Sequence, residues 1–373
     1  MAFDRRLMAN FDWMTFSLTL LIMAFSTVIL YSATYNRPVG AVAMHLKQLA
    51  WMGVGLVAMF TMLSLDYQVF CRYAYLFYGG LILSLIVVLC FGQVINGARR
   101  WLMFGPISVQ PSELAKPVLI LALSRYLTID APPEALPLTL RGLFIPLGLV
   151  ALPCWLIMRQ PDLSTAMVLV AIMSVMVLMV GIRGKTLLTI MLLSLGLLPA
   201  MWAVLQEYQR ARILTLLNPQ EDLLGAGYHA WQAKIAIGSG GIWGKGLLAG
   251  TQSHLSFVPE RHTDFIFAVL AEEGGFVGVV LLIMLFSCLL LHGLATAYIT
   301  RERQGALIVV GVVTMVTVQV VLNIGMTLGL LPVLGLPLPL VSYGGSSLVI
   351  TFCCLGLVMN VRMRRWKLGT LSP

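Results

Sequence analysis

The chain has 373 residues, of which 59% are hydrophobic and only 10% are charged, and its formal net charge is +9. Soluble proteins carry about 25% charged residues, so this composition excludes an ordinary soluble enzyme. The six cysteines lie in or beside apolar runs and form no CxxC pair, which argues against a disulfide framework and against a zinc site. The composition therefore indicates a polytopic membrane protein.

Apolar stretches long enough to cross a bilayer, which takes roughly 20 residues, recur along the whole chain. They predict an all-α bundle of about ten transmembrane helices that forms a single integral-membrane domain, 1–373. The first stretch is too long for the core of a signal peptide, so we interpret it as an uncleaved span. The ten predicted spans are 14–34, 46–65, 73–91, 112–129, 142–158, 163–181, 186–205, 265–291, 305–331 and 343–361.

The arginines at the two ends of the chain predict the topology. An even number of spans places both termini on one side, and Arg5, Arg6, Arg362 and Arg364 mark that side as cytoplasmic by the positive-inside rule. The segment 206–264, between spans seven and eight, then becomes a large periplasmic loop.

Many basic residues fall on the outer side of this topology, where the positive-inside rule disfavours them. One interpretation is that long loops translocate regardless of charge, which covers the segment 206–264. It does not cover Arg99, Arg100, Lys116 or Arg159, which lie in short loops or at helix ends. The other interpretation is a binding site for an anionic ligand such as a phosphate or pyrophosphate.

Three acidic residues, Glu113, Asp162 and Asp264, fall at the outer ends of predicted helices. Each one alone is explained by the helix dipole, which favours a carboxylate in the first turn, and Glu113 has Lys116 three residues on as a local ion-pair partner. Three together, interleaved with basic residues, also fit a polar functional cavity. The same three carboxylates are the candidate ligands for a divalent cation.

Further polar residues lie inside the predicted spans. At 100° per residue, Glu272 and Glu273 are turned away from Asp264, so we expect them to pair inside the bundle or to reach a polar cavity. A polar stripe in span nine, most simply interhelical hydrogen bonding, consists of Gln319, Asn323 and Thr327.

Five motifs of this chain closely resemble those of the RodA/FtsW family of SEDS proteins. They are NGARRW, QPSELAKP, RQPDLST, PERHTDFIFAVLAEE and LPLPLVSYGGSS, and the resemblance covers nearly the whole chain. The form ERHTDFIF, preceded by GSGGIWGKGLLAGTQS, is similar to the members that serve cell elongation rather than division.

This resemblance implies a SEDS-type bundle and a function in cell-wall synthesis. The activity would be that of a peptidoglycan glycosyltransferase, which polymerises lipid II into β-1,4 glycan strands at the outer face of the inner membrane during cell elongation. Undecaprenyl pyrophosphate would leave with inversion, and Asp264 would be the catalytic residue, acting as general base.

The resemblance also implies partners and a cofactor. A class B penicillin-binding protein, the elongation transpeptidase, would bind through spans eight and nine, beside other proteins of the elongation machinery. A divalent cation, Mg²⁺ or Mn²⁺, would assist, with no organic cofactor and no nucleic acid. The candidate substrate-binding residues are Arg99, Arg100, Glu113, Lys116, Arg159, Asp162, Arg210, Arg212, Lys234 and Ser342.

Two other functions stay open on the sequence. A flippase for lipid II suits a polytopic bundle with carboxylates near the midplane, but the chain lacks the paired broken helices of two related halves. A non-enzymatic scaffold that activates a transpeptidase is compatible with the small-residue pairs in spans eight and nine. A scaffold has no need for a cluster of acidic and basic residues at the outer helix ends.

Overall fold

A computed structural model describes most of the chain. The described residues are 10–35, 44–95, 98–105, 107–131, 137–204, 207–217, 226–251 and 262–365.

The described part of the chain is dominated by α-helices, as the apolar runs predict. In chain order they are α1 Trp13–Thr34, α2 Met44–Ser64, α3 Tyr67–Arg72, α4 Ala74–Phe91, α5 Pro111–Arg125, α6 Phe144–Arg159, α7 Leu163–Val180, α8 Gly184–Val204, α9 Glu207–Leu217, α10 Ala226–Gly240, α11 Ile266–Ile299, α12 Arg303–Thr327 and α13 Gly345–Arg364.

Each of the ten predicted spans overlaps one of these helices, and the all-α polytopic architecture is confirmed. Within the described ranges, eight helices are long and apolar enough to cross a membrane. The helix α5 falls short because it has only 15 residues, about 22 Å at 1.5 Å per residue, against a hydrocarbon core of about 30 Å. In α8 the qualifying apolar stretch is shorter, Gly184–Leu197.

The helices α12 and α13 form the centre of the bundle. The apolar stretch of α12 is 83% buried and that of α13 is 72% buried, whereas α2 and α4 reach only 22%. The helix α12 packs against α11, α7 and α5, and α13 packs along α2. Side chains at the ends of these central helices therefore meet residues from several other helices.

A small antiparallel sheet, which the sequence did not predict, precedes α5. Its strands are β1 Gln93–Ile95, β2 Ala98–Phe104 and β3 Ile107–Val109, in the order β1-β2-β3. Gly105 lies in the turn between β2 and β3 with φ of 63°, a conformation that glycine adopts at low cost. The sheet places β2 and β3 beside the first turn of α5.

The segment predicted as a long loop, 206–264, contains the helices α9 and α10. The helix α10 packs against α11, which is interrupted at Gly275, where φ is 61° and ψ is −163°. The backbone between Gly241 and Gly246 lies against this interruption.

Candidate active site

One pocket of about 320 Å³ collects polar residues from many parts of the chain. They come from the amino-terminal ends of α2, α5, α7 and α13, from the turn before α11, from the loop before α13 and from the small sheet. These helix ends all lie at the same end of the bundle, because successive spans alternate in direction. The lining residues are Trp51, Arg100, Trp101, Ser108, Gln110, Glu113, Asp162, Ser164, Thr165, His262, Thr263, Asp264, Gly335, Leu336, Pro337, Tyr343, Gly344, Gly345, Ser346 and Ser347.

Asp264 lies in the turn that leads into α11, whose N-cap is Phe265. Its carboxylate lies beside the loop before α13, since a Cβ added at Gly335 would be 3.3 Å from Asp264 Oδ2. The side chain is partly exposed and lines the pocket. A carboxylate in this position can reach a hydroxyl group of a ligand bound in the pocket.

Asp162 is the N-cap of α7 and also lines the pocket. Its carboxylate accepts hydrogen bonds from the backbone N–H and the hydroxyl of Thr165, at 3.2 and 3.0 Å, and from the Ser164 hydroxyl at 2.9 Å. It also accepts from Gln110 Nε2 and Ser112 Oγ, both at 3.2 Å. This carboxylate is therefore held by donors from two helix starts, and its first contribution is to join α5 to α7.

Glu113 and Lys116 form a buried ion pair within α5. Lys116 Nζ lies 2.8 Å from both carboxylate oxygens, and the two residues are 5% and 2% exposed. The predicted local ion pair is thus present. Glu113 lines the pocket, whereas Lys116 lies behind it and does not line the pocket. Removing either partner would leave a buried charge without compensation.

Of the basic residues predicted to bind substrate, Arg100 is the one that lines the pocket. Its Nε donates to the carbonyl of Gln160 at 2.8 Å, and its Nη2 donates to the carbonyl of Pro161. These bonds fix the guanidinium beside the start of α7. A guanidinium has five N–H donors, so others are left for an anionic group of a ligand.

Two of the predicted basic residues lie near the site without lining the pocket. Arg99 is exposed on β2, next to Arg100 in sequence. Arg159 is exposed at the end of α6, with its guanidinium carbon 5.3 Å from the centroid of the Trp155 ring. Their predicted role in substrate binding stays a prediction.

The predicted basic residues of the segment 206–264 lie elsewhere. Arg210 donates to the carbonyl of Trp202 at 3.0 Å, next to the end of α8. Arg212 and Lys234 line a second, much smaller pocket of about 20 Å³. A Cβ at Gly329 would lie 2.0 Å from Lys234 Cε, so the lysine stem packs onto the end of α12.

Ser342 and Tyr343 follow one another in the loop before α13 but have different surroundings. The Ser342 hydroxyl accepts from Leu338 N–H at 2.8 Å and donates to the carbonyl of Thr263 at 2.5 Å, and it does not line the pocket. Tyr343 lines the pocket, and burial raises the pKa of its phenol. The Tyr343 hydroxyl therefore stays protonated at neutral pH and can donate a hydrogen bond.

The whole bundle, including every element of this pocket, lies within one match to a protein-family model. Residues 12–367 match the FtsW/RodA/SpoVE family of cell cycle proteins. The chain belongs to this family.

Relatives within the FtsW/RodA/SpoVE family cover almost the entire chain. The peptidoglycan glycosyltransferase MrdB of Escherichia coli (strain K12) is 41% identical over 352 residues, which cover 94% of this chain and 93% of the relative. Among solved structures, one similar chain belongs to a peptidoglycan synthase complex that coordinates polymerization and crosslinking. It is 35% identical, with a TM-score of 0.83 over 96% of this chain and 99% of the other. The rod shape determining protein RodA of Thermus thermophilus is 33% identical, with a TM-score of 0.71 over 96% and 98%.

Some residues of the pocket were not predicted from the sequence as part of a site. Trp51 lies inside an apolar run that predicts only a span, whereas Trp101 ends the motif NGARRW and had a signal there. Gln110 is the first residue of the motif QPSELAKP, and His262 and Tyr343 lie within the other family motifs, so these three also had a signal in the motifs. Aromatic rings beside carboxylates and hydroxyl groups suit a ligand with both polar and apolar surfaces.

The predicted cation ligands do not form a metal site of their own. Asp264, Asp162 and Glu113 line the same pocket, but the described residues contain no group of three His, Cys, Asp or Glu side chains able to hold a metal ion. Asp162 is occupied by hydrogen-bond donors, and Glu113 by the Lys116 ammonium. The divalent cation stays a prediction.

Proposed function

We propose that the chain is a peptidoglycan glycosyltransferase that polymerises lipid II in the pocket beside Asp264. The observation that carries this proposal is the convergence of three carboxylates, one arginine and several aromatic rings on a single pocket at the helix ends. The family membership and the names of the relatives support the same activity.

The pocket supplies the groups that an inverting glycosyl transfer needs. Asp264 accepts the proton of the sugar 4-hydroxyl of one lipid II as that oxygen attacks the anomeric carbon of the growing chain. The bond from this carbon to the pyrophosphate breaks, and undecaprenyl pyrophosphate leaves with the bonding electron pair. Arg100 lies where it can stabilise the departing negative charge.

The proposed orientation places this pocket at the outer face of the inner membrane. Both termini are then cytoplasmic, together with the short basic loops at Arg183 and Arg301, as the positive-inside rule favours. A site at the helix ends suits a substrate of which one half is lipid and the other half is sugar.

The proposed partner is a class B penicillin-binding protein. An apolar groove of about 510 Å³ lies between α11 and α12, the spans for which docking is predicted. Phe286, Leu290, Val320 and Val321 line this groove, which suits the single membrane span of a partner. The relative from a peptidoglycan synthase complex supports an assembly of this kind.

The test is a polymerisation assay with labelled lipid II. The full chain is purified with a class B penicillin-binding protein whose transpeptidase site is inactivated, and the wild type is compared with Asp264→Asn. We expect a ladder of glycan products from the wild type and a loss of at least about 100-fold in the variant, since a general base contributes about 10²–10⁴. Asp130→Asn, the same change at an exposed residue outside the pocket, is the matched control.

The other outcomes distinguish the alternatives. Ladders of equal strength from wild type and Asp264→Asn would remove Asp264 as the base and leave Glu113 or Asp162. No ladder from the wild type, with or without Mg²⁺ or Mn²⁺, would overturn the polymerase in favour of a flippase or a scaffold. A flippase would then be detected by transfer of labelled lipid II between the leaflets of proteoliposomes.

A further inference from the structure

The turn that carries Asp264 is held by its backbone carbonyls. Three successive carbonyls, of residues 262–264, each accept one hydrogen bond from outside the turn. The donors are the backbone N–H of Tyr343 at 2.9 Å, the hydroxyl of Ser342 at 2.5 Å and Nδ2 of Asn323 at 3.0 Å. Two of these three donors are side chains, so substitution can remove them without changing the backbone.

The same two side chains also bind the loop that faces the Asp264 carboxylate. Asn323 Nδ2 donates its second hydrogen to the carbonyl of Leu336 at 2.6 Å, and the Ser342 hydroxyl accepts from Leu338 N–H at 2.8 Å. Each side chain therefore joins the turn before α11 to the loop before α13. Both side chains therefore hold the turn that carries Asp264 against this loop.

Neither side chain is placed to contact a ligand. Asn323 is 0% exposed and Ser342 is 4% exposed, and neither lines the pocket. Both N–H groups of the Asn323 amide point at carbonyl oxygens, whereas its Oδ1 is buried and has no hydrogen-bond partner within the described residues. The amide of Asn323 thus donates both of its hydrogens, while its oxygen accepts none. This pattern is expected of a side chain whose role is to hold two backbone carbonyls together.

We propose that Asn323 and Ser342 are positioning residues, which hold Asp264 at the distance and orientation required for proton transfer. This inference rests on the proposed function of Asp264. Under this proposal Ser342 positions Asp264 instead of binding substrate. Asn323 then has a different role from Gln319 and Thr327, the other members of the polar stripe. Thr327 of that stripe donates to the carbonyl of Asn323 within α12 itself, at 2.7 Å.

The chain supplies matched controls for testing this assignment. Asn323→Leu removes both donors at nearly constant volume, and Ser342→Ala removes the hydroxyl. Thr327→Val and Gln319→Leu are equally conservative in shape, at buried positions one turn away on the same helix. Ser342→Thr keeps a hydroxyl group and serves as the rescue variant.

The first measurement is the steady-state polymerisation of lipid II by the full chain with its partner. We expect Asn323→Leu to lower kcat by about 10- to 100-fold with KM within about twofold, because a displacement of about 1 Å of a catalytic group costs on that order. Ser342→Ala is expected to act in the same way, with Ser342→Thr recovering much of the loss. Thr327→Val and Gln319→Leu should stay within about twofold of the wild type.

The second measurement needs no substrate, so it tests the positioning even if the polymerase activity itself is absent. Hydrogen exchange of peptides that cover residues 262–270 and 335–343 should be faster in Asn323→Leu than in Thr327→Val. Exchange in α7 should be equal in the two variants. If the wild-type protein were inactive, this would count against the proposed function but not against the positioning role of Asn323. Exchange and kcat in Asn323→Leu equal to those of the controls would overturn the assignment of positioning residues.

Discussion

The ammonium of Lys245 lies 2.8 Å from Oε1 of Glu272, next to the point where α11 is interrupted. Glu272 is completely buried, while the Lys245 side chain is 25% exposed. The neighbouring carboxylate, Glu273, accepts a hydrogen bond from Ser32 Oγ at 2.7 Å. Both carboxylates are therefore paired inside the bundle and do not line the pocket of Asp264, as predicted from their spacing on the helix.

The loop that carries Lys245 also satisfies the backbone groups that the interruption exposes. The N–H groups of Lys245 and Gly246 donate to the carbonyls of Glu272 and Glu273, both at 3.0 Å. In return, the N–H groups of Phe276 and Val277 donate to carbonyls of the same loop, those of Gly241 and Ile242. A broken helix within a membrane protein is tolerated where its free backbone groups find such partners.

We expect Lys245→Met to destabilise the protein by about 1–3 kcal/mol, because it leaves the buried Glu272 carboxylate without its cation. The double variant Lys245→Met/Glu272→Gln should recover part of this loss, since the remaining group is neutral. Thermal unfolding in detergent measures both. The control is Lys185→Met, at an exposed lysine at the start of α8. If the double variant lost more stability than the two single variants lose together, this account would be contradicted.

At the interruption of α11, the backbones of Gly275 and Gly244 are in close contact. A single added methyl group at Gly275 is therefore expected to reduce the stability of the protein strongly. A Cβ at Gly275 would lie 2.2 Å from the backbone nitrogen of Gly244, and Gly275 has φ of 61°. We expect Gly275→Ala to cost at least about 2 kcal/mol, because a strained φ alone costs about 1–3 kcal/mol. The effect is measured as the fraction of monodisperse protein and the midpoint of thermal unfolding.

The control for this substitution is Gly238→Ala. Gly238 lies within α10, and a Cβ there would meet nothing within 4 Å. In a helix, alanine is favoured over glycine by about 1 kcal/mol, so this variant should be neutral or slightly more stable. Equal stability of the two alanine variants would show that the contact between Gly275 and Gly244 is not tight in solution.

The adjacent residues Arg99 and Arg100 should differ sharply in their effect on activity. Arg100 lines the pocket and donates to carbonyls at the start of α7, whereas Arg99 is exposed. We expect Arg100→Ala to lower kcat/KM for lipid II by about 100- to 1,000-fold, the range for loss of a charge-stabilising donor. Arg99→Ala should change it by less than about threefold. Equal losses in both variants would mean that the charge of the strand matters and not the position of Arg100.

The apolar groove between α11 and α12 should respond to a bulky side chain at Val321, which is 57% exposed there. Val321→Trp should fill the groove and sharply reduce co-purification with the class B penicillin-binding protein, since overpacking a well-packed contact costs about 1–3 kcal/mol. Leu192→Trp, on the exposed face of α8, is the control and should leave the complex intact. Intact complexes from both variants would place the partner elsewhere.

The spans were predictable from the sequence because the length of an apolar run is a local property and the bilayer sets its minimum. The ends of α2, α7 and α13 agree with the predicted spans to within a few residues. The strands β1 and β3 were missed because each has only three residues, too few for a measurable alternation of polar and apolar residues. The strand β2 has seven residues but was missed because its sequence, ARRWLMF, does not alternate. The interruption at Gly275 was also missed, since a glycine inside a helical pattern is ordinarily tolerated.

The sequence by itself determined the class of protein, the helical bundle, and through its motifs the family and the acidic residues on which the chemistry is proposed to depend. Only the tertiary structure decided which of the predicted residues share a pocket. It brings Arg100, Glu113, Asp162 and Asp264 together and leaves Arg159 outside. The reason is physical: these contacts join helix ends far apart in the chain, and their distances depend on how the central helices pack, which no local pattern of residues encodes.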